Sequence, residues 1–207
     1  MKEDIFLNKK RMDICCITPR QKLIIAKGLC DYQYIMENWQ VNDKDFQEVY
    51  YEFYLKARWP VLSNATNKKV YFNKLQSVSL EEGFISILDS LYNEMENHSY
   101  EFSLTTKLLH TRDTSMPIYD SKVRDYLSKG EKVNLWWMIP NYVSHAPRGT
   151  SEYEKIKHDW EELCKWYISF MDTERCKTWI AWFDDNFPAY VKISNVKKID
   201  FIIFATN

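Results

Sequence analysis

The sequence predicts an all-α protein, a globular bundle of about eight or nine helices folded as one domain over residues 1–207. Three observations lead there. Glycine is scarce: Gly28, Gly83, Gly130 and Gly149 are the only four in 207 residues, and tight β-hairpins lean on glycine for positive φ. Two capping boxes, Ser79 with Glu82 and Ser151 with Glu154, stand ahead of apolar stripes, which marks helix starts. Apolar residues recur at helical spacing rather than alternating, and no internal repeat or low-complexity tract interrupts them.

The elements follow in chain order. Residues 20–38 read as a helix interrupted near Gly28. Asp43–Arg58 places Phe46, Val49, Phe53 and Ala57 on one face, and Pro60 is expected to end it. Lys68–Val78 is a shorter helix with Val70, Tyr71, Lys74 and Leu75 on adjoining faces. Behind the Ser79 box, Phe84, Ile87, Leu88, Leu91 and Met95 form one stripe that runs to about Asn97. Ser103–His110 reads as about two helical turns, and Thr111–Tyr119 as a loop holding Pro117. Asp120 stands at an N-cap before Ser121–Ser128, with Gly130 as the stop. Glu131–Gly149 is irregular. Ser151–Met171 turns Ile156, Trp160, Leu163, Tyr167 and Phe170 inward, and Arg175–Asp185 follows. Asn195–Phe204, capped by Ser194, closes the chain.

Charge excludes some partners. With 28 basic and 29 acidic residues the formal net charge is −1, so no whole-surface field draws nucleic acid or anionic lipid, and only a local patch can. Residues 1–30 carry a local +4, and residues 63–80 hold Lys68, Lys69 and Lys74 without an acid. Residues 81–101 hold six acids and no base, the pattern of a solvated helix face. No apolar run approaches the roughly 20 residues that span a bilayer, and Met1–Met12 lacks the apolar core of an export signal. The expected location is the cytoplasm, where the five cysteines stay reduced.

Most common chemistries find no motif. The four glycines cannot write a phosphate-cradling loop, and no Gly-x-Ser-x-Gly elbow occurs. His98, His110, His145 and His158 are scattered, and Cys15, Cys16, Cys30, Cys164 and Cys176 fit no zinc or iron–sulfur spacing. Neither a metal nor a cofactor is expected. The 33 aromatic residues (14 Tyr, 11 Phe, 8 Trp) supply either a ring-packed core or a ring-lined pocket for a base or sugar.

One stretch brings an amine and a carboxylate together in order. It runs Phe102-Ser-Leu-Thr-Thr-Lys107-Leu-Leu-His110, then a loop, then Pro117-Ile-Tyr-Asp120-Ser-Lys-Val123-Arg124. A lysine opens one helix and an aspartate caps the next, thirteen positions later. This arrangement resembles the helix-hairpin-helix DNA glycosylase superfamily, in a distant bacterial branch. The resemblance spans about 26 residues. It implies that Lys107 is the amine that attacks the sugar C1′, and that Asp120 stabilises the oxocarbenium-like sugar or activates water. It implies base excision as the function, with the base flipped from the duplex into an aromatic-lined pocket. Lys68, Lys69, Lys122 and Arg124 are the candidate nucleic-acid contacts. The family's Gly-x-Gly before the lysine is missing, because Glu101–Thr106 contains no glycine. The interval from lysine to aspartate is also shorter than in the family.

A plain structural reading stands beside this one. Asp120 as an N-cap, Lys107 as a solvated helix residue and Arg124 paired with Asp120 need no chemistry. The function that follows is either nucleic-acid binding of a DNA-glycosylase-like kind, catalytic or degenerate, or a non-enzymatic module that binds another protein through an aromatic-rich helical body.

Overall fold

The computed structural model describes residues 17–56, 59–131, 133 and 149–206. Among them are ten α-helices and no strand, as the glycine count and helical periodicities predict. Helix α1, Pro19–Glu37, starts with a Thr18 capping box whose second member is Gln21. It runs through Gly28 without the expected interruption. The reason is packing: a Cβ at position 28 would lie 2.8 Å from Cε1 of Phe201, so glycine lets two helices approach closely.

Asp43 caps α2, Lys44–Tyr50, which continues into a π-helical turn at Tyr51–Leu55. That wider turn redirects the apolar face. Phe46, Tyr50 and Tyr54 are buried, whereas Val49 and Phe53 are half-buried; Ala57 and Arg58 lie outside the described residues. Pro60 does not end a helix but sits in the first turn of α3, Trp59–Leu62, where its missing N–H has no intrahelical partner to lose. Helix α4, Ala65–Ser77, begins three residues before the expected Lys68, because the Asn64 side chain accepts from Thr66 N and Asn67 N.

The Ser79–Glu82 capping box forms, but over a short 3₁₀ turn at Leu80–Glu82. Gly83, at φ +69°, then redirects the chain into α5, Gly83–Glu94. Its Phe84, Ile87, Leu88 and Leu91 are buried as predicted. The helix stops at Glu94, short of Asn97, and Met95 is buried as its C-cap.

Helix α6, Phe102–Arg112, is longer than the expected two turns, and every residue from Phe102 to Thr111 is buried. Asp120 caps α7, Ser121–Tyr126. The helical path runs on through Gly130 as a π turn, Leu127–Glu131, instead of stopping there. Glu131 accepts from the Tyr126 hydroxyl at 2.7 Å and from Arg175 at 2.6 Å, which holds the turn in place. The irregular stretch expected over 131–149 falls largely outside the described residues.

Helix α8, Ser151–Met171, is capped by Thr150, whose hydroxyl accepts from Tyr153 N; the box read at Ser151 lies one residue too late. Ile156, Leu163, Tyr167 and Phe170 are buried, and Trp160 stacks on Phe84 with centroids 4.3 Å apart. Helix α9, Glu174–Asn186, and α10, Asn195–Thr206, complete the chain. Ser194 accepts from Lys197 N, as the expected cap. Helix α10 packs on α1, α7 and α9. No helix of the described residues is long and apolar enough to cross a membrane.

Leu88 is fully buried on α5. Leu88→Ala is expected to cost roughly 2–5 kcal/mol in denaturant titration, the transfer of the lost methyl groups plus the cavity left behind. The exposed Ser86→Ala on the same helix should stay within about 0.5 kcal/mol.

Candidate functional site

Burying α6 on all sides requires partners for its polar side chains. Its threonine hydroxyls at 105, 106 and 111 turn back onto the backbone of the same segment. Thr105 donates to Glu101 O at 2.9 Å, Thr106 to Ser103 O at 3.0 Å and Thr111 to Lys107 O at 2.7 Å. Tyr50 and Tyr71 approach from α2 and α4. Tyr50 Oη lies 3.0 Å from Thr111 Oγ1, and Tyr71 donates to Leu104 O at 3.2 Å.

The loop after α6 is fastened to it twice. Tyr119 N donates to Thr106 Oγ1 at 3.1 Å. His110 Nδ1 lies 2.6 Å from Met116 O; a carbonyl only accepts, so the proton is on Nδ1 and Nε2 is the acceptor. Tyr32 on α1 donates to that Nε2 at 3.4 Å. Burial, helped by the charge of Lys197, pushes His110 down to about 3.

These constraints set the predicted pair. Lys107 lies one turn before His110 and is 6 % exposed, so it is not the solvated helix residue of the plain reading. Asp120 is half-buried at the start of α7, with Oδ1 accepting from Lys122 N at 2.8 Å and Val123 N at 2.9 Å. Its expected partner, Arg124, turns instead to the neighbouring Asp125, through Nε at 3.1 Å and Nη2 at 2.9 Å.

A buried carboxylate that the sequence reading missed lies on α10, paired with Lys197 at 2.6 Å. Asp200 on α10 is buried, and burial pushes its carboxyl above the usual carboxylate range. The Asp120 charge pushes the same way, while Lys197 and Lys107 pull against it. Tyr167 on α8 is also buried: burial, then the charges of Asp200 and Asp120, raise its hydroxyl far above the ordinary tyrosine range. The signal for Asp200 was present in α10, where Lys197, Lys198 and Asp200 interrupt an otherwise apolar run, Val196 to Phe204. Charges in such a run are either at a surface or paired inside.

The candidate nucleic-acid contacts are divided between two helices. On α4, Lys69 is exposed, and Lys68 is half-buried with its ammonium 5.9 Å from the Phe72 ring. On α7, Lys122 and Arg124 are half-buried. Most of the basic amino-terminal run lies outside the described residues.

Other chemistries gain little. Among the described residues no three His, Cys, Asp or Glu side chains cluster as metal ligands. Burial pushes the Cys164 thiol up to about 12 and the Cys176 thiol up to about 11, which suppresses the reactive thiolate. Compared with family models, curated proteins and solved structures, the chain matches none.

The neutral, buried His110 has a consequence in acid. The unfolded chain takes up a proton near pH 6.5, whereas the folded histidine stays neutral down to about 3. Its contribution is complete above the unfolded value and is lost as pH falls below it, by at most about 1.4 kcal/mol per pH unit. His110→Gln, which keeps a donor and an acceptor, should show a shallower loss of unfolding free energy between pH 6.5 and 4. Equal slopes in the two proteins would mean that this histidine titrates normally.

Proposed function

We propose that the chain binds nucleic acid and acts as a DNA N-glycosylase-like protein, with Asp120 as the carboxylate and Lys107 as the amine. The observation that supports this reading is that the segment leading to Asp120 is tied back onto the helix that carries Lys107, Tyr119 N donating to Thr106 Oγ1 at 3.1 Å. An amine and a carboxylate in one low-dielectric region suit the chemistry. Asp120 stabilises positive charge developing on the sugar. Lys107, as the neutral amine, bonds to C1′ while the bond from C1′ to the base breaks. The base leaves with that electron pair, and the proton lost by the lysine nitrogen neutralises it. Because Lys107 is 6 % exposed, the surface over α6 has to open to admit a flipped nucleotide. Rings stand close by: Tyr119 lies edge-on to Phe102 at 4.9 Å, and Tyr167 to Trp166 at 4.9 Å.

A second reading, a protein-interaction module without catalysis, draws on the exposed apolar side chains Leu23, at 70 %, and Ile168, at 63 %. The two readings part on experiment. Borohydride reduction in the presence of abasic-site DNA should trap a covalent adduct with the wild-type protein and none with Lys107→Met. Asp120→Asn should lower base release by about 10²-fold or more. Its stability should change by less than about 0.5 kcal/mol, because asparagine caps as well as aspartate. DNA binding through lysine and arginine should also weaken steeply with salt. No adduct, together with DNA binding that is absent at low salt, would leave the interaction module as the surviving reading.

A further inference from the structure

We propose that the cavity beside the turn joining α1 to α2 binds a neutral sugar ring, recognised by Trp39, Asn42, Asp43 and Gln76. Neither Lys107 nor Asp120 takes part.

The cavity measures about 350 Å³ and is lined by Trp39, Gln40, Val41, Asn42, Asp43 and Gln76. That volume falls within the range of small-molecule sites. Its walls are fixed by bonds of their own. Trp39 is half-buried, edge-on to Phe46 with centroids 6.0 Å apart, and the Arg112 guanidinium lies over its ring at 5.1 Å. The turn is closed by Gln40 N donating to Asn38 O and Asp43 N to Gln40 O, each at 2.7 Å. Gln47 donates to the carbonyl of the buried Val41 at 2.9 Å. From α4, Gln76 Oε1 accepts from Asn42 Nδ2 at 3.3 Å, which orients both carboxamides. Walls set in advance keep the ordering cost of binding low.

The same bonds leave a defined set of polar atoms. Asn42 and Gln76 spend one donor and one acceptor on each other, so Asn42 Oδ1 and Gln76 Nε2 remain as an acceptor and a donor. Asp43 spends Oδ1 on the N–H groups of Asp45 and Phe46 and keeps Oδ2. The Gln40 side chain is exposed and adds a further carboxamide. Each hydroxyl of a sugar both donates and accepts, and neighbouring hydroxyls on one ring match neighbouring carboxamide and carboxylate atoms. The indole supplies apolar surface for the C–H groups of the ring. Charge narrows the ligand further. Asp43 is the one charged residue of the lining, which disfavours a phosphate or a carboxylate. A base edge could use the same carboxamides, but Arg112 already occupies a face of the indole on which a base would stack. A sugar ring of this kind comes either from a free saccharide or from the ribose of a nucleoside.

The test uses the full ¹⁵N-labelled chain. The methyl glycosides of glucose, galactose, mannose and xylose, together with adenosine and 2′-deoxyadenosine, are titrated separately. NMR follows the Trp39 indole N–H and the Asn42 and Gln76 carboxamides, assigned by their loss in Trp39→Phe, Asn42→Ser and Gln76→Ala. At least one glycoside, or adenosine in preference to 2′-deoxyadenosine, should shift these signals saturably at about millimolar concentration, the affinity that a dozen non-hydrogen atoms reach. A glycoside identifies a saccharide as the source, and a preference for adenosine identifies ribose. Gln76→Ala should weaken that binding by about 5–10-fold. Asp43→Asn should weaken it as well, with the cap of α2 intact. Equal binding of the two nucleosides with no glycoside bound would make the cavity a base pocket and overturn the proposal. So would the lack of any saturable shift in the wild type, or binding that is unchanged in Gln76→Ala. The wild-type titrations decide even if Trp39→Phe does not fold.

Discussion

The fold depends on a helix that supplies its own hydrogen-bond partners. Thr105, Thr106 and Thr111 would make α6 a poor choice for a fully buried element if their polar atoms were left unpaired. Hydroxyls bonded to carbonyls three or four residues back remove that penalty, because the helix needs little from its neighbours. The few bonds that it does make outward are specific. Thr106 and His110 fix the path of the following loop, and that path decides where Asp120 starts α7.

Two opposite charges are buried side by side on α10. Lys197 and Asp200 lie between the aromatic layer of α1 and α2 and the α6–α7 hairpin. Their opposite charges cancel, so the pair is neutral although both members are almost wholly out of water. A neutral set avoids the large self-energy of a lone buried ion. It also makes every member sensitive to the others, since the low dielectric that favours the pairs strengthens their mutual influence.

Local signals explain which parts of this were legible. The α5 stripe from Phe84 to Leu91 and the Asp120 and Ser194 caps are read from adjacent residues, and they appear where expected. The π turns at Tyr51–Leu55 and Leu127–Glu131 shift the register in a way that a fixed 3.6-residue period cannot anticipate. At the start of α8, Thr150 and Ser151 are both good caps, and only the backbone decides between them. The candidate pair was visible as a spacing of amine and carboxylate. Asp200 was legible only as a charge in the apolar run of α10; the packing of that helix on α7, some 80 residues away in the chain, was not. Arg124 shows the same limit in reverse: helical spacing puts Asp120 within reach, and the guanidinium takes Asp125.

Gly28 shows how far such placement extends. An isolated helix would gain about 1 kcal/mol from alanine at this point, so α1 carries a residue that weakens it. The ring that a methyl group would strike belongs to Phe201, one of the rings that surround the Lys197 ammonium. That ring also meets Tyr32, Phe53 and Phe183, at centroid distances between 6.0 and 6.3 Å, which leaves it little room to retreat. The half-buried Gly28 on α1 thereby gauges the width of a cavity around a cation that it never touches. Natural variation at position 28 would be read by the ion pair before it was read by the helix.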